Sequence, residues 1–262
     1  MTTSLGVSQT LREFADFQKL ANRSLSTSEV QRLLRHPDFF RSPKDTDQGN
    51  RQHAQLIDRI LNLDMKTVEA KLVNQGQRIL PEGSYEYWGP ALHAGAQTWV
   101  GLDPQTLNSP YTVLRRMCEL LKLKPGQLVV DLGAAMGRLG IVMHQCAPGA
   151  YFLGLEYVIE RVAEANRVYA QWGMGQARCE TQDLFARDFE LPQADVYFIY
   201  DYGQHAHINA TLRLIEFMSC QRPLRLVARG QATNRLIELH HPWLEIIYEG
   251  QGAELFHIYK AC

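Results

Sequence analysis

From residue 128 onward, short apolar runs alternate with stretches in which apolar residues recur every three or four positions. A short run bounded by turn residues reads as a buried strand, and the longer spacing reads as a helix covering it. The second half of the chain therefore predicts strands and helices in alternation, the pattern of a mostly parallel sheet. The runs are LVVDL (128–132), AYFLGLE (150–156), ARCE (177–180), ADVYFIY (194–200) and PLRLVARG (223–230). Behind the second run, Val162, Ala165, Tyr169 and Trp172 share one face of a crossover helix; QATNRLIELHH predicts a shorter helix after the fifth. The end of the chain breaks the alternation, because WLEIIYEG and AELFHIYKA flank Gly250-Gln251-Gly252, a hairpin signal.

Over residues 1 to about 80 the spacing is helical and not repetitive. Ser26 and Glu29 make a capping box ahead of Val30, Leu33 and Leu34. Ile57, Ile60, Leu61, Met65, Val68 and Leu72 predict one long amphipathic helix, ended by Gly76 and Pro81. Between them RHPDFFRSPKDTDQGNRQ reads as a loop, and YEYWGPALHAGAQTW as a lid-like connection. Ser109 then reads as a helix cap with Pro110 at the first helical position, followed by Val113, Leu114, Met117, Leu120 and Leu121 at helical spacing.

The chemistry begins at LVVDLGAAMGRLG (128–140), where an apolar run ends in an acid, a glycine turn follows, and helical spacing resumes. A parallel strand delivers a nucleotide-like ligand to a helix N-terminus in this way. The dinucleotide fingerprint needs Gly-x-Gly-x-x-Gly, but Gly133, Gly137 and Gly140 are spaced four and three apart, with Ala135 in the middle place. Asp131 beside a pyrophosphate would also be repulsive.

Asp131-Leu132-Gly133-x-x-x-Gly137 instead resembles the first motif of class I S-adenosylmethionine-dependent methyltransferases. The late hairpin is a hallmark of the same family, and the resemblance covers about residues 109–262. It implies a doubly wound, mostly parallel seven-stranded α/β sheet with a C-terminal antiparallel hairpin, and S-adenosyl-L-methionine as cofactor. It places Asp131, Gly133, Ala134 and Gly137 around the amino-acid end of that cofactor, where an acid suits an ammonium and backbone amides suit a carboxylate. Glu156, 23 positions after Gly133, is near the spacing of about 20 at which a carboxylate accepts ribose hydroxyls. Tyr157 follows it and can flank the adenosine. The resemblance gives Asp183 the adenine amino group, with the amide of Leu184 on a ring nitrogen.

The fourth run ends in Tyr200-Asp201-Tyr202-Gly203, at the strand end where chemistry sits in an open α/β sheet. Methyl transfer from a sulfonium is an in-line displacement that needs contact, dryness and a proton acceptor. Asp201, Tyr202 and His205 are the catalytic candidates, with His207 a further suitable side chain. Tyr200 belongs with the cofactor, since an aromatic face can stabilise a cation. The Asn-Pro-Pro-Tyr signature of methyltransferases acting on base or glutamine amino groups is absent here. The turn QTLNSPY, with Gln105, Thr106 and Tyr111, is similar to one in non-SET class I protein-lysine methyltransferases and brings Tyr111 to the cofactor.

Composition narrows the partners. A net charge of −1 gives no bulk reason to bind nucleic acid. No run of about 18 apolar residues exists and the first residues lack the apolar core of a signal peptide, so a soluble, cytoplasmic protein is expected. The five cysteines are scattered without metal-ligand spacing, which predicts reduced thiols and no metal site. The expected organisation is an N-terminal helical region (1–84) for substrate selection, lid closure, dimerisation or buttressing, a connection (85–108), and a methyltransferase domain (109–262). The expected activity is methyl transfer to an N or O nucleophile, with a protein side chain such as lysine as the leading acceptor. A small-molecule methyltransferase and a non-catalytic cofactor-fold binding protein are the alternatives, and a homodimer stays open.

Overall fold

A computed structural model describes residues 11–79, 85–88, 91–94, 98–100, 102–252 and 254–261. The N-terminal part forms α1 (Phe14–Ala21), α2 (Thr27–Leu34), α3 (Asp47–Leu61) and α4 (Met65–Ile79). Then come β1 (Tyr85–Trp88), β2 (Ala91–Ala94) and β3 (Thr98–Val100), and the helices α5 (Pro104–Leu107) and α6 (Tyr111–Leu121). The alternating half follows as β4 (Leu128–Leu132), α7 (Arg138–Cys146), β5 (Tyr151–Glu156), α8 (Ile159–Trp172), β6 (Ala177–Thr181) and β7 (Val196–Tyr200). It closes with α9 (His205–Ser219), β8 (Arg225–Arg229), α10 (Gln231–His240), β9 (Leu244–Glu249) and β10 (Phe256–Ala261).

The seven runs read from the sequence make one sheet, in the order β6-β5-β4-β7-β8-β10-β9. Strands β6 to β8 pair in parallel, and β10 runs antiparallel to both β8 and β9. The expected doubly wound sheet with its C-terminal antiparallel hairpin is thus present. The central strands are apolar because both faces are covered. Val129, Phe152, Val196 and Phe198 face a core under α6, α7 and α8, while Leu153, Tyr197 and Ile199 face one under α9 and α10.

The N-terminal helices join the first of these cores. Phe17, Phe39, Phe40, Ile57 and Leu61 are buried in one cluster with Val129 and Ile141. Polar contacts fix the docking: the Trp172 indole N–H donates to the Leu61 carbonyl at 2.9 Å, and the Asp64 amide donates to Glu164 at 2.7 Å.

Several local expectations change. The single long helix is two helices, because Asn62 takes a left-handed φ of +57° and ends α3, a conformation asparagine tolerates. Leu61, Leu63 and Met65 are all buried, so the apolar stripe runs across the break and hides it. Gly76 lies inside α4, and Pro81 is outside the described residues. The expected loop ends early at α3, capped by Thr46, and its Phe39 and Phe40 are core residues. Pro110, not Ser109, holds the cap position of α6. The lid-like stretch contains the three-stranded antiparallel sheet β1-β2-β3. Among the described residues no helix is long and apolar enough to cross a membrane.

Candidate functional site

Chain order reverses at β4, which has β5 on one side and β7 on the other. Ligands in open α/β sheets bind at such a switch point, outside the carboxyl ends of the strands. Here that crevice is built by the turn from Gly133 to Gly137. Gly133 has a φ of +87°, and a Cβ there would stand 2.9 Å from the Tyr202 Cβ. Only glycine lets Tyr202 close over the turn.

The turn spends its amides on the protein. Gly133 and Ala134 donate to the Leu155 carbonyl at 2.9 and 3.0 Å, and Gly137 donates to that of Ala134 at 2.9 Å. Ala135 adopts a φ of +47° and donates its N–H to Glu156 Oε2 at 2.8 Å. A phosphate-cradling loop presents such amides to its ligand; this one gives three to backbone carbonyls and one, from Ala135, to a carboxylate. The residue that replaces the middle glycine of the dinucleotide fingerprint therefore positions the acid at the end of β5.

The two acids of the turn region stand in opposite electrostatic conditions. Glu156 is buried and partnered at both oxygens: besides Ala135, the Val158 N–H donates to Oε1 at 3.0 Å, and Arg161 Nη1 lies 3.6 Å from the same oxygen. Asp131 is equally buried, but its Oδ1 has no hydrogen-bond partner. Burial, with the negative charge of Glu156 adding to it, pushes the Asp131 carboxyl well above the usual carboxylate range. Asp131 and Ser109, whose Oγ is also without a partner, line a recess of about 20 Å³ bounded by Gly133, Ala134, Ala135 and Tyr200.

A cavity of about 250 Å³ adjoins this recess and shares Leu107, Gly133, Ala135 and Tyr200 with it. Of the residues expected at the site, Glu156, Tyr157, Leu184, Tyr200, Asp201 and Tyr202 also line the cavity. Thr106, from the QTLNSPY turn expected near the mouth of the cofactor site, lines it too, and Leu102, Leu155, Arg161 and Gln182, which were not singled out from the sequence, complete it. The Tyr200 hydroxyl donates to the Thr106 carbonyl at 3.2 Å, which fixes its ring against the α5 end.

The remaining expected residues lie elsewhere. The carbonyl of Gly137 accepts the Tyr169 hydroxyl at 2.5 Å beneath the turn. Asp183 accepts the Phe185 amide at 2.8 Å and is not among the cavity walls. Tyr111 does not reach the cofactor crevice: it is fully buried, stacks on Phe40 with ring centroids 5.3 Å apart, and donates its hydroxyl to Asp58 at 2.9 Å. His205 is exposed at the first position of α9, and His207 packs its ring on Phe185. Asp201 lines the cavity, but its carboxylate is committed to α10, accepting the Thr233 N–H and hydroxyl, both at 2.8 Å, and the Ala232 N–H at 3.3 Å. The Tyr202 hydroxyl pairs with Thr211, and burial pushes its pKa up. That shift keeps the Tyr202 hydroxyl protonated at neutral pH.

Two buried arginines tie this site to the N-terminal helices. Arg138, directly after Gly137, grips both carboxylate oxygens of Asp58 from α3 and donates to Gln105 Oε1 at 2.8 Å and the Ser109 carbonyl at 3.2 Å. Arg161 grips Glu69 of α4 at 2.8 and 3.0 Å while it faces Glu156. An arginine in the first turn of a helix gives no sequence signal for such a role, because its partners are about 80 to 92 positions away.

No family model and no curated protein sequence matches the chain. Solved structures that resemble it include TrmN from Thermus thermophilus, at 14% identity over 60% of this chain with a TM-score of 0.46. The chain spans about half of that protein, 49% of its length. An RNA methyltransferase from Salinibacter ruber in complex with S-adenosyl-L-homocysteine is 22% identical over 59% of this chain and 92% of its own, with a TM-score of 0.44. A precorrin-6y C5,15-methyltransferase from Geobacter metallireducens is 14% identical over 62% of this chain and 92% of its own, with a TM-score of 0.46. These likenesses are of fold. The sheet itself is doubly wound with one reversed strand, β10.

Proposed function

We propose that the protein is an S-adenosylmethionine-dependent methyltransferase acting on an N or O nucleophile. The observation that carries this reading is the buried Asp131 carboxylate, whose Oδ1 has no partner in a recess opening beside the Glu156 cavity. A buried acid is costly unless something cationic completes it. An ammonium answers that need at Asp131, and the carboxylate at the end of β5 suits the hydroxyls of a nucleoside. Asp131 would hold the amino group, Glu156 the ribose hydroxyls through the lone pairs its amide donors leave, and Leu155, Tyr157 and Leu184 the base. S-adenosylmethionine supplies a sulfonium-bound methyl when bound. Tyr200 and Tyr202, at the end of β7, exclude water and present aromatic surface to that cation. The nucleophile attacks in line and loses a proton to solvent or to a group of its own.

Thermal shift tests this reading. S-adenosylmethionine and S-adenosylhomocysteine are expected to raise the melting temperature and NAD is not. Glu156→Gln keeps the acceptor and volume but weakens the grip on the ribose, so it should shrink the shift by about tenfold in apparent affinity. Stabilisation by NAD alone would overturn the reading.

A further inference from the structure

Three arginines are buried among the described residues: Arg138, Arg161 and Arg229. The first two each grip a carboxylate with two nitrogens. Arg229, 6% exposed at the carboxyl end of β8, has an Nε without a hydrogen-bond partner, and no carboxylate lies within ion-pair distance of it among the described residues. Its one recorded contact is the Tyr200 ring, with the guanidinium carbon 4.2 Å from the centroid. The guanidinium is thus held by a ring face and, among the described residues, by no anion.

The neighbouring chain had an anion to offer. Tyr200 pairs with Arg229 across β7 and β8, and Asp201 is the next residue. That carboxylate turns instead to the N-terminus of α10, and a Cβ on Gly230 would collide with it. The arginine is left without this acid at the strand end. Asp131 does not serve it either: it stands two strands away, two residues lower in register, across β7. Tyr200 lines both the recess and the cavity and Arg229 lines neither, so the Tyr200 ring stands between the guanidinium and the place where a cationic methyl donor would sit.

We propose that the methyl acceptor carries an anionic group, a carboxylate or a phosphate monoester, and that Arg229 beyond Tyr200 is its binding partner. This rests on the methyltransferase reading for the word acceptor; the anion subsite itself does not. Guanidinium matches either oxyanion through paired N–H donors. The Tyr200 ring keeps Arg229 oriented by a cation–π contact and separates its charge from the sulfonium.

The probes are inorganic phosphate and benzoate, titrated at constant ionic strength against chloride, with the full chain alone and with saturating S-adenosylhomocysteine. One or both probes should stabilise the wild type, and Arg229→Gln should weaken that effect by about tenfold or more while leaving S-adenosylhomocysteine binding intact. Arg229→Lys should retain part of it as a point charge. Because Arg229→Gln removes an unpaired buried charge, its ligand-free melting temperature should equal or exceed that of the wild type. Whichever probe responds identifies the source of the anion. Anion binding without S-adenosylhomocysteine binding would sustain the subsite and sink the methyltransferase reading. The proposal is overturned if neither probe outperforms chloride, if the response survives Arg229→Gln, or if that variant loses S-adenosylhomocysteine instead, which would assign the guanidinium to the cofactor carboxylate.

Discussion

Between the N-terminal helices and the sheet, every buried charge of the two arginine clusters is matched: Arg138 has Asp58, and Arg161 has Glu69 and Glu156. Along the carboxyl ends of β4 and β8 the opposite holds, since among the described residues Asp131 Oδ1 has no partner and Arg229 has no acid. The residues of both regions are at most 6% exposed, so the difference is not one of burial. Matched charges give a buried framework a unique arrangement, whereas unmatched ones cost stability until a ligand completes them. The contrast separates the part of the molecule that holds shape from the part that waits for chemistry.

The harshest test of the matched region is Asp58→Ala, which leaves Arg138 buried without its anion. Urea denaturation should show a loss of about 3–5 kcal/mol, and a loss below about 1 kcal/mol would mean that water rescues the guanidinium. In the unmatched region the sign reverses. The folded-state pKa of Asp131 is raised, so between the unfolded and folded values the folded protein binds more protons, and stability falls as pH rises through that window. Asp131→Asn should remove that slope and raise ligand-free stability at neutral pH by on the order of 1–3 kcal/mol, while abolishing the thermal shift with S-adenosylmethionine. A destabilised Asp131→Asn would contradict the view of Asp131 as an uncompensated charge. The smallest effect is expected at Asp201, where asparagine caps a helix about as well as aspartate. Asp201→Asn should change stability by less than about 0.5 kcal/mol and keep most of the methyl-transfer rate; a collapse of the rate with an unchanged melting temperature would restore Asp201 as a base.

Much of the fold was legible because burial on both faces writes itself as continuous apolar runs: the strands from β4 to β8, the crossover helix α8 and the final hairpin lie where the sequence pattern places them. The break at Asn62 was not legible, since the same apolar face continues on both sides of it. In the site, Gly133, Glu156, Tyr157, Leu184 and the Tyr200–Tyr202 segment lie on the cavity, as strand ends must once the sheet order is set. Tyr111 misled because a helix start near β4 says nothing of which way its ring points, and the ring turned into the N-terminal core.

Taken alone, the sequence determined the sheet, its switch point and the acids of the turn, because these follow from local period and from residues at fixed offsets along one strand or turn. Only the tertiary structure decided what each charge does. It gave the Ala135 amide to Glu156, turned Asp201 to α10, brought Asp58 and Glu69 across 80 and 92 positions to their arginines, and left Asp131 and Arg229 unmatched. Pairing depends on distance in space and on desolvation, and a linear chain records neither.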